Sequence, residues 1–116
     1  MLAEDKRPPA RLWQQTLVAS RLLQYEVWRR LHARQLADSH GDAAAELIGR
    51  VGLLELTVPV LERALGPFPE GVRTLDALHL ASLEFLRQQG QPLLLASYDR
   101  RMVDAAVQIG IPLADL

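Results

Sequence analysis

Three carboxylates stand out in this sequence because they interrupt segments that otherwise favour burial. Asp76 lies in a run rich in leucine and alanine, and Asp99 closely follows the apolar segment 93–96. Glu26 lies in the early turns of a predicted amphipathic helix. A buried carboxylate needs a hydrogen-bond partner, an opposite charge or a metal ion. We therefore treat these three acids as candidate site residues.

Together, the three acids predict a site for a hard divalent cation. In a parallel sheet, the strands ending near Ser20 and Asp99 would finish at one edge, and the helices carrying Glu26 and Asp76 would begin near it. Clustered carboxylates repel and raise one another's pKa unless a cation lies between them. Oxygen ligands suit Mg²⁺ or Mn²⁺, which can activate water and stabilise the leaving oxygen of a phosphodiester.

Each acid taken singly also has a structural explanation. Glu26 can form an ion pair with Arg29 or Arg30, one turn further along its helix. Asp76 lies where a carboxylate interacts favourably with a helix macrodipole, and Asp99 is a suitable N-cap. The structural explanation is favoured for any one acid considered alone, and the metal site is favoured for the set.

The hydrophobic pattern predicts short strands alternating with helices, which is typical of an α/β protein with a parallel sheet covered by helices. A polar turn at 38–42 is predicted to separate the second helix from the third, and Thr74 is the expected N-cap of the helix that Gly90 ends. The predicted strands are 16–19, 53–58, 93–97 and 111–116, and the predicted helices are 9–15, 21–37, 43–51, 59–65, 74–89 and 100–108.

Composition excludes several classes of protein. The chain has 116 residues, enough for one domain, and 49% of them are hydrophobic. The absence of cysteine excludes disulfides and thiolate zinc sites. No signal sequence and no apolar run of membrane-spanning length is present, so we expect a cytoplasmic protein without membrane association. Gly-rich phosphate loops and GxSxG motifs are also absent, which leaves the acids as the main catalytic candidates.

Three segments resemble the PIN domain, and most closely the toxins of the VapC type. They are SRLLQYEVWRRL at 20–31, VRTLDALHLASL at 72–83 and LASYDRRMVDAA at 95–106. The resemblance implies a three-layer α/β/α sandwich formed by a single domain over 1–116. It also implies Mg²⁺- or Mn²⁺-dependent endoribonuclease activity, a cognate antitoxin and a homodimer.

The same resemblance assigns roles to particular residues. It implies that Glu26, Asp76 and Asp99 hold the metal and orient the attacking water, with Ser97 in the small hydroxyl position before the last acid. Independently of the family pattern, the positions of Arg73, Arg100 and Arg101 suggest contacts with RNA phosphates.

The chain departs from the family pattern at its beginning. The family normally opens with an apolar strand that ends in an aspartate, ahead of the segment matched by MLAEDKRPPARLW. Either the natural start lies upstream, or this form is a domain truncated at the N-terminus with the first strand absent. Glu4 and Asp5 do not match the position of the missing aspartate and are expected on the surface. This expectation motivates a second hypothesis, a catalytically impaired PIN-like module that binds an antitoxin or RNA without cleavage. A helical interaction domain without a sheet is a third.

Overall fold

The computed structural model describes residues 9–116, which divide into two units. One unit comprises residues 16–55, and the other comprises residues 9–15 and 56–116. The expected surface positions of Glu4 and Asp5 lie outside the described residues.

Residues 16–55 form two parallel strands joined by two helices. Strand β1 spans Leu17–Ser20, helix α1 Leu22–Ala33, helix α2 Ala37–Ile48 and strand β2 Val51–Leu54. The strands pair in register from Leu17 opposite Val51 to Ser20 opposite Leu54. The strand predicted at 16–19 is confirmed with a shift of one residue, and so is the parallel pairing, whereas the purely helical hypothesis is wrong.

Helix α1 ends four residues earlier than predicted, in a turn without glycine. Gln35 adopts a φ of +57°, and its N–H donates to the carbonyl of His32 at 3.1 Å. The N–H of Leu36 donates to the carbonyl of Leu31 at 2.8 Å. These two bonds form a Schellman motif, which usually has glycine at the left-handed position. Because glutamine occupies that position here, the sequence pattern did not reveal the helix end.

The turn predicted at 38–42 is wrong, since these residues lie within α2. Gly41 is buried in this helix, and a Cβ atom there would lie 3.0 Å from a ring carbon of Trp28. The glycine therefore allows the close approach of α1 and α2 and does not end a helix. With the helix shifted towards the N-terminus, β2 also begins two residues before the predicted strand at 53–58. Gly52 lies within the strand, where it pairs with Val18.

The second unit is mainly helical, and its helices agree well with the prediction. A short 3₁₀ helix spans Ala10–Gln14, and it is followed by α3 at Val58–Ala64, α4 at Thr74–Gln88 and α5 at Arg100–Gln108. Helix α4 packs against both α3 and α5. A buried cluster joins α4 and α5 to the segment after α5, and its members are Leu80, Met102, Ala105, Ala106 and Ile111.

The strands predicted at 93–97 and 111–116 are reduced to one parallel bridge between Leu95 and Leu113. Leu95 donates to the carbonyl of Pro112 at 2.8 Å and accepts from the N–H of Ala114 at 2.7 Å. Leu94 is 54% exposed, so this segment is not the fully covered strand that its apolar run predicts. The described residues thus form a mixed α/β fold with a two-stranded parallel sheet.

The buried cluster generates a stability prediction. Leu80 is fully buried, whereas Leu65 at the end of α3 is 89% exposed. We expect Leu80→Ala to lower the free energy of unfolding by about 2–5 kcal/mol because it leaves a cavity among well-packed neighbours. The matched substitution Leu65→Ala should change it by less than about 0.5 kcal/mol. Chemical denaturation of both variants measures the difference, and equal losses would contradict the assigned core.

Candidate functional site

Asp76 is the third residue of α4 and is only 8% exposed. Its Oδ2 accepts a hydrogen bond of 3.1 Å from the backbone N–H of Arg73, the extended residue that precedes the helix. Arg73 is therefore the N-cap, and the prediction of Thr74 in that role is wrong by one residue. A carboxylate at this position commonly accepts the N–H of the N-cap residue. The burial of Asp76 is thus compensated by a backbone donor.

Asp99 is the N-cap of α5, as predicted. Its Oδ1 accepts hydrogen bonds from the backbone N–H groups of Arg101 at 3.0 Å and Met102 at 3.4 Å. Ser97, the predicted substrate-binding hydroxyl, accepts a bond of 3.0 Å from the N–H of Asp99 through its Oγ. Ser97 therefore orients the backbone that carries the acid, while its proposed contact with substrate stays a prediction.

Asp76 and Asp99 begin two helices that share one buried cluster. Asp76 lies one turn before Leu80, and Asp99 lies one turn before Met102, and both apolar side chains belong to that cluster. In each acid one carboxylate oxygen accepts backbone N–H groups, and the second oxygen accepts none from residues 9–116. An oriented carboxylate with an uncommitted oxygen is a suitable ligand for Mg²⁺ or Mn²⁺.

Glu26 lies in the other unit, where it is the half-buried fifth residue of α1. The start of this helix directly after β1 is as predicted, and the Oγ of Ser20 accepts the N–H of Leu22 at 3.2 Å. No group of three or more His, Asp or Glu side chains within residues 9–116 is arranged to hold a metal ion. The convergence of Glu26 with the other two acids stays a prediction.

An ion pair that the sequence pattern did not predict lies at the carboxyl end of the sheet. The Nε of Arg21 donates to Glu55 at 2.6 Å, and the backbone N–H of Arg21 donates to the carbonyl of Leu54 at 2.9 Å. The Glu55 carboxylate raises the pKa of the Arg21 guanidinium above its ordinary value. Because Glu55 was placed inside the predicted strand 53–58, it was not recognised as a residue at a strand end.

The arginines predicted to contact phosphates lie on the surface. Arg73, Arg100 and Arg101 are exposed, and they are positioned immediately before α4 or in the first turn of α5. Arg100 approaches Asp104 at 3.9 Å, which is a weak, exposed pair that leaves the guanidinium accessible to other anions.

An open groove of about 480 Å³ lies in the unit formed by residues 16–55. Its apolar wall is formed by α1, α2 and β2, and Arg21 and Gln24 supply polar groups to it. The groove contains none of the predicted site residues. No helix in the part of the chain described by the structure is long and apolar enough to cross a membrane.

Comparisons with known proteins give one informative relative. No family model matches the chain, and no solved structure matches it. The protein named Ribonuclease VapC46 from Mycobacterium tuberculosis is 38% identical over 95 residues, which cover 81% of this chain and 69% of that protein. The chain therefore belongs to the VapC family, as its resemblance to VapC-type toxins predicts.

The cap at α5 generates a prediction that separates the structural role of Asp99 from its charge. Asp99→Ala removes the acceptor of two N–H groups and should lower the free energy of unfolding by about 0.5–2 kcal/mol. Asp99→Asn keeps a good N-cap, so we expect a change of only a few tenths of a kcal/mol at neutral pH. Thermal or denaturant unfolding measures both, and an equal loss in the two variants would argue against the capping role.

Proposed function

We propose that this protein is a Mg²⁺- or Mn²⁺-dependent endoribonuclease and the toxin of a type II toxin–antitoxin pair. The observation that carries the proposal is the 38% identity to Ribonuclease VapC46 over most of both chains. The two backbone-oriented carboxylates of Asp76 and Asp99 support it, because each keeps one oxygen for a further ligand.

In this proposal Glu26, Asp76 and Asp99 are the metal ligands and the catalytic acids. The bound cation would supply Lewis acidity and activate a water molecule for attack on phosphorus. Arg73 N–H holds the Asp76 carboxylate in place, and the first turn of α5 does the same for Asp99. Arg73, Arg100 and Arg101 would bind the flanking phosphates of the RNA, with Ser97 near the substrate.

The proposal extends to fold and partners. The two-stranded parallel sheet and its helices are compatible with part of a three-layer α/β/α sandwich of the PIN type, formed by a single domain. We also propose an RNA substrate, a cognate antitoxin, a homodimer and a cytoplasmic location. Membership of the VapC family supports the RNA substrate and the antitoxin.

The metal site is tested by removing one negative charge at a time. Asp76→Asn and Asp99→Asn keep an oxygen that can accept the same N–H groups, so the fold should survive. Wild-type protein at a hundredfold excess of Mn²⁺ over its dissociation constant should gain about 2.7 kcal/mol of stability. We expect both variants to lose this gain and to lose Mn²⁺-dependent RNA cleavage, as measured by thermal unfolding and gel assays.

Asp104→Asn is the matched control, because Asp104 is an exposed acid of α5 with only a weak ion pair. It should retain both the Mn²⁺ stabilisation and cleavage. Full activity in Asp76→Asn or Asp99→Asn would contradict the site assignment. A folded wild-type protein that binds RNA or an antitoxin without any cleavage would instead favour the catalytically impaired binding module.

The role of the exposed arginines is tested by the salt dependence of RNA binding. A phosphate contact to single-stranded RNA contributes about −0.7 to the slope of log K against log salt concentration. Arg100→Gln should therefore weaken binding and make the slope shallower by about this amount. Arg50→Gln is the control, because Arg50 is already paired with Glu46 at 2.8 Å. Equal effects of the two substitutions would contradict a specific phosphate contact.

A further inference from the structure

Arg63 of α3 makes several side-chain contacts in the unit that contains Asp76 and Asp99. Its Nε donates to Oε1 of Glu84 at 2.7 Å, and its Nη2 donates to Oε2 of the same carboxylate at 3.3 Å. Its Nη1 donates to the carbonyl of Pro67 at 3.0 Å, and its guanidinium carbon lies 3.9 Å from the ring centre of Phe68. A planar guanidinium can make these contacts simultaneously, whereas an ammonium group cannot.

These contacts connect three parts of the unit. Arg63 belongs to α3, Glu84 belongs to α4, and Pro67 and Phe68 belong to the loop formed by residues 66–73, hereafter the 66–73 loop. The ion pair is half-buried, with the Arg63 side chain 32% and the Glu84 side chain 19% exposed. A bidentate pair shielded in this way is worth more than an ordinary surface pair.

The 66–73 loop ends at the residue that holds Asp76. Phe68 and Val72 both pack against the buried cluster, and Gly71 between them has a φ of +89°, which allows the chain to turn into α4. The next residue, Arg73, donates its N–H to Asp76. The path from the Arg63 contacts to the Asp76 carboxylate is thus a short, packed stretch of backbone.

We propose that Arg63 is a positioning residue that fixes the orientation of the Asp76 carboxylate through the 66–73 loop. Because Glu84 lies two turns beyond Asp76 on α4, Arg63 holds the loop against the helix that carries the acid. Loss of the guanidinium frees the loop at Pro67 and Phe68, and the Arg73 N–H then departs more often from Asp76. The proposal deepens the function proposed above, since it concerns a predicted metal ligand.

Arg87 provides a matched control on the same helix. Its Nη1 donates to the carbonyl of Gly110 at 2.8 Å, so it anchors the segment after α5. The neighbouring N–H of Ile111 donates to the carbonyl of Ala106 at 2.8 Å and reports on that segment. The two arginines therefore hold two different loops, and each loop has its own reporter amide.

The first test measures amide hydrogen exchange by NMR in the metal-free full chain. We expect Arg63→Met to accelerate exchange of the Arg73 N–H about tenfold or more relative to the Ile111 N–H. Arg87→Met should accelerate the Ile111 N–H and leave the Arg73 N–H unchanged. Equal acceleration of both amides in Arg63→Met, or none, would overturn the proposal. If Arg63→Met does not fold, exchange of the Arg73 and Ile111 N–H groups is compared between Arg63→Lys and Arg87→Lys, and the same results support or overturn the proposal.

The second test titrates Mn²⁺ into the same proteins. Disturbing a partner that orients a metal ligand typically weakens metal binding by about 10–100-fold. We therefore expect Arg63→Met to bind Mn²⁺ at least about tenfold more weakly than the wild type, and Arg87→Met to bind it with unchanged affinity. Unchanged Mn²⁺ affinity in Arg63→Met would overturn the positioning role. A wild-type protein that binds no Mn²⁺ would refute the proposed metal site, and the exchange measurement would still decide whether Arg63 holds Asp76.

Discussion

The candidate site depends on the backbone N–H groups at the starts of α4 and α5, which need hydrogen-bond acceptors from outside the helix. The first N–H groups of a helix have no acceptor within the helix, so side chains must supply one. Asp76 accepts the N–H of Arg73, and Asp99 accepts those of Arg101 and Met102. The same hydrogen bonds that complete the helix starts therefore orient both carboxylates, which removes much of their rotational freedom before any ligand binds.

Helix α4 connects this constraint to the rest of its unit. It packs against α3 and α5, and its Leu80 is fully buried in the cluster that the two helices α4 and α5 share. Gly90 and Gly110 follow the ends of α4 and α5 and have positive φ. The N–H of the residue after each glycine donates to a carbonyl of the preceding helix. The buried cluster and these helix ends hold α4 and α5 together. Asp76 and Asp99 therefore lie at the starts of two helices that pack against each other.

The structural and catalytic explanations of the acids are compatible. A carboxylate has two oxygens, and at both Asp76 and Asp99 the backbone bonds involve only one of them. Membership of the VapC family supplies the reason to propose a metal at the second oxygen. The half-buried Arg63–Glu84 pair lies outside the motif segments, and Arg63 also donates to the carbonyl of Pro67 in the loop that leads to Asp76.

Features that depend on near neighbours along the chain were predictable from the sequence. The start of α5 at Asp99, the short helix opened by Pro59 and the end of α4 at Gly90 were predicted correctly from local capping and turn patterns. Tertiary structure alone decided that Gly41 lies inside a helix, because its role is to accommodate Trp28. Tertiary structure also decided that the apolar segment around Leu95 forms one bridge rather than a strand, and that Arg63 meets Glu84. These features depend on contacts between residues distant in sequence, which local patterns do not encode.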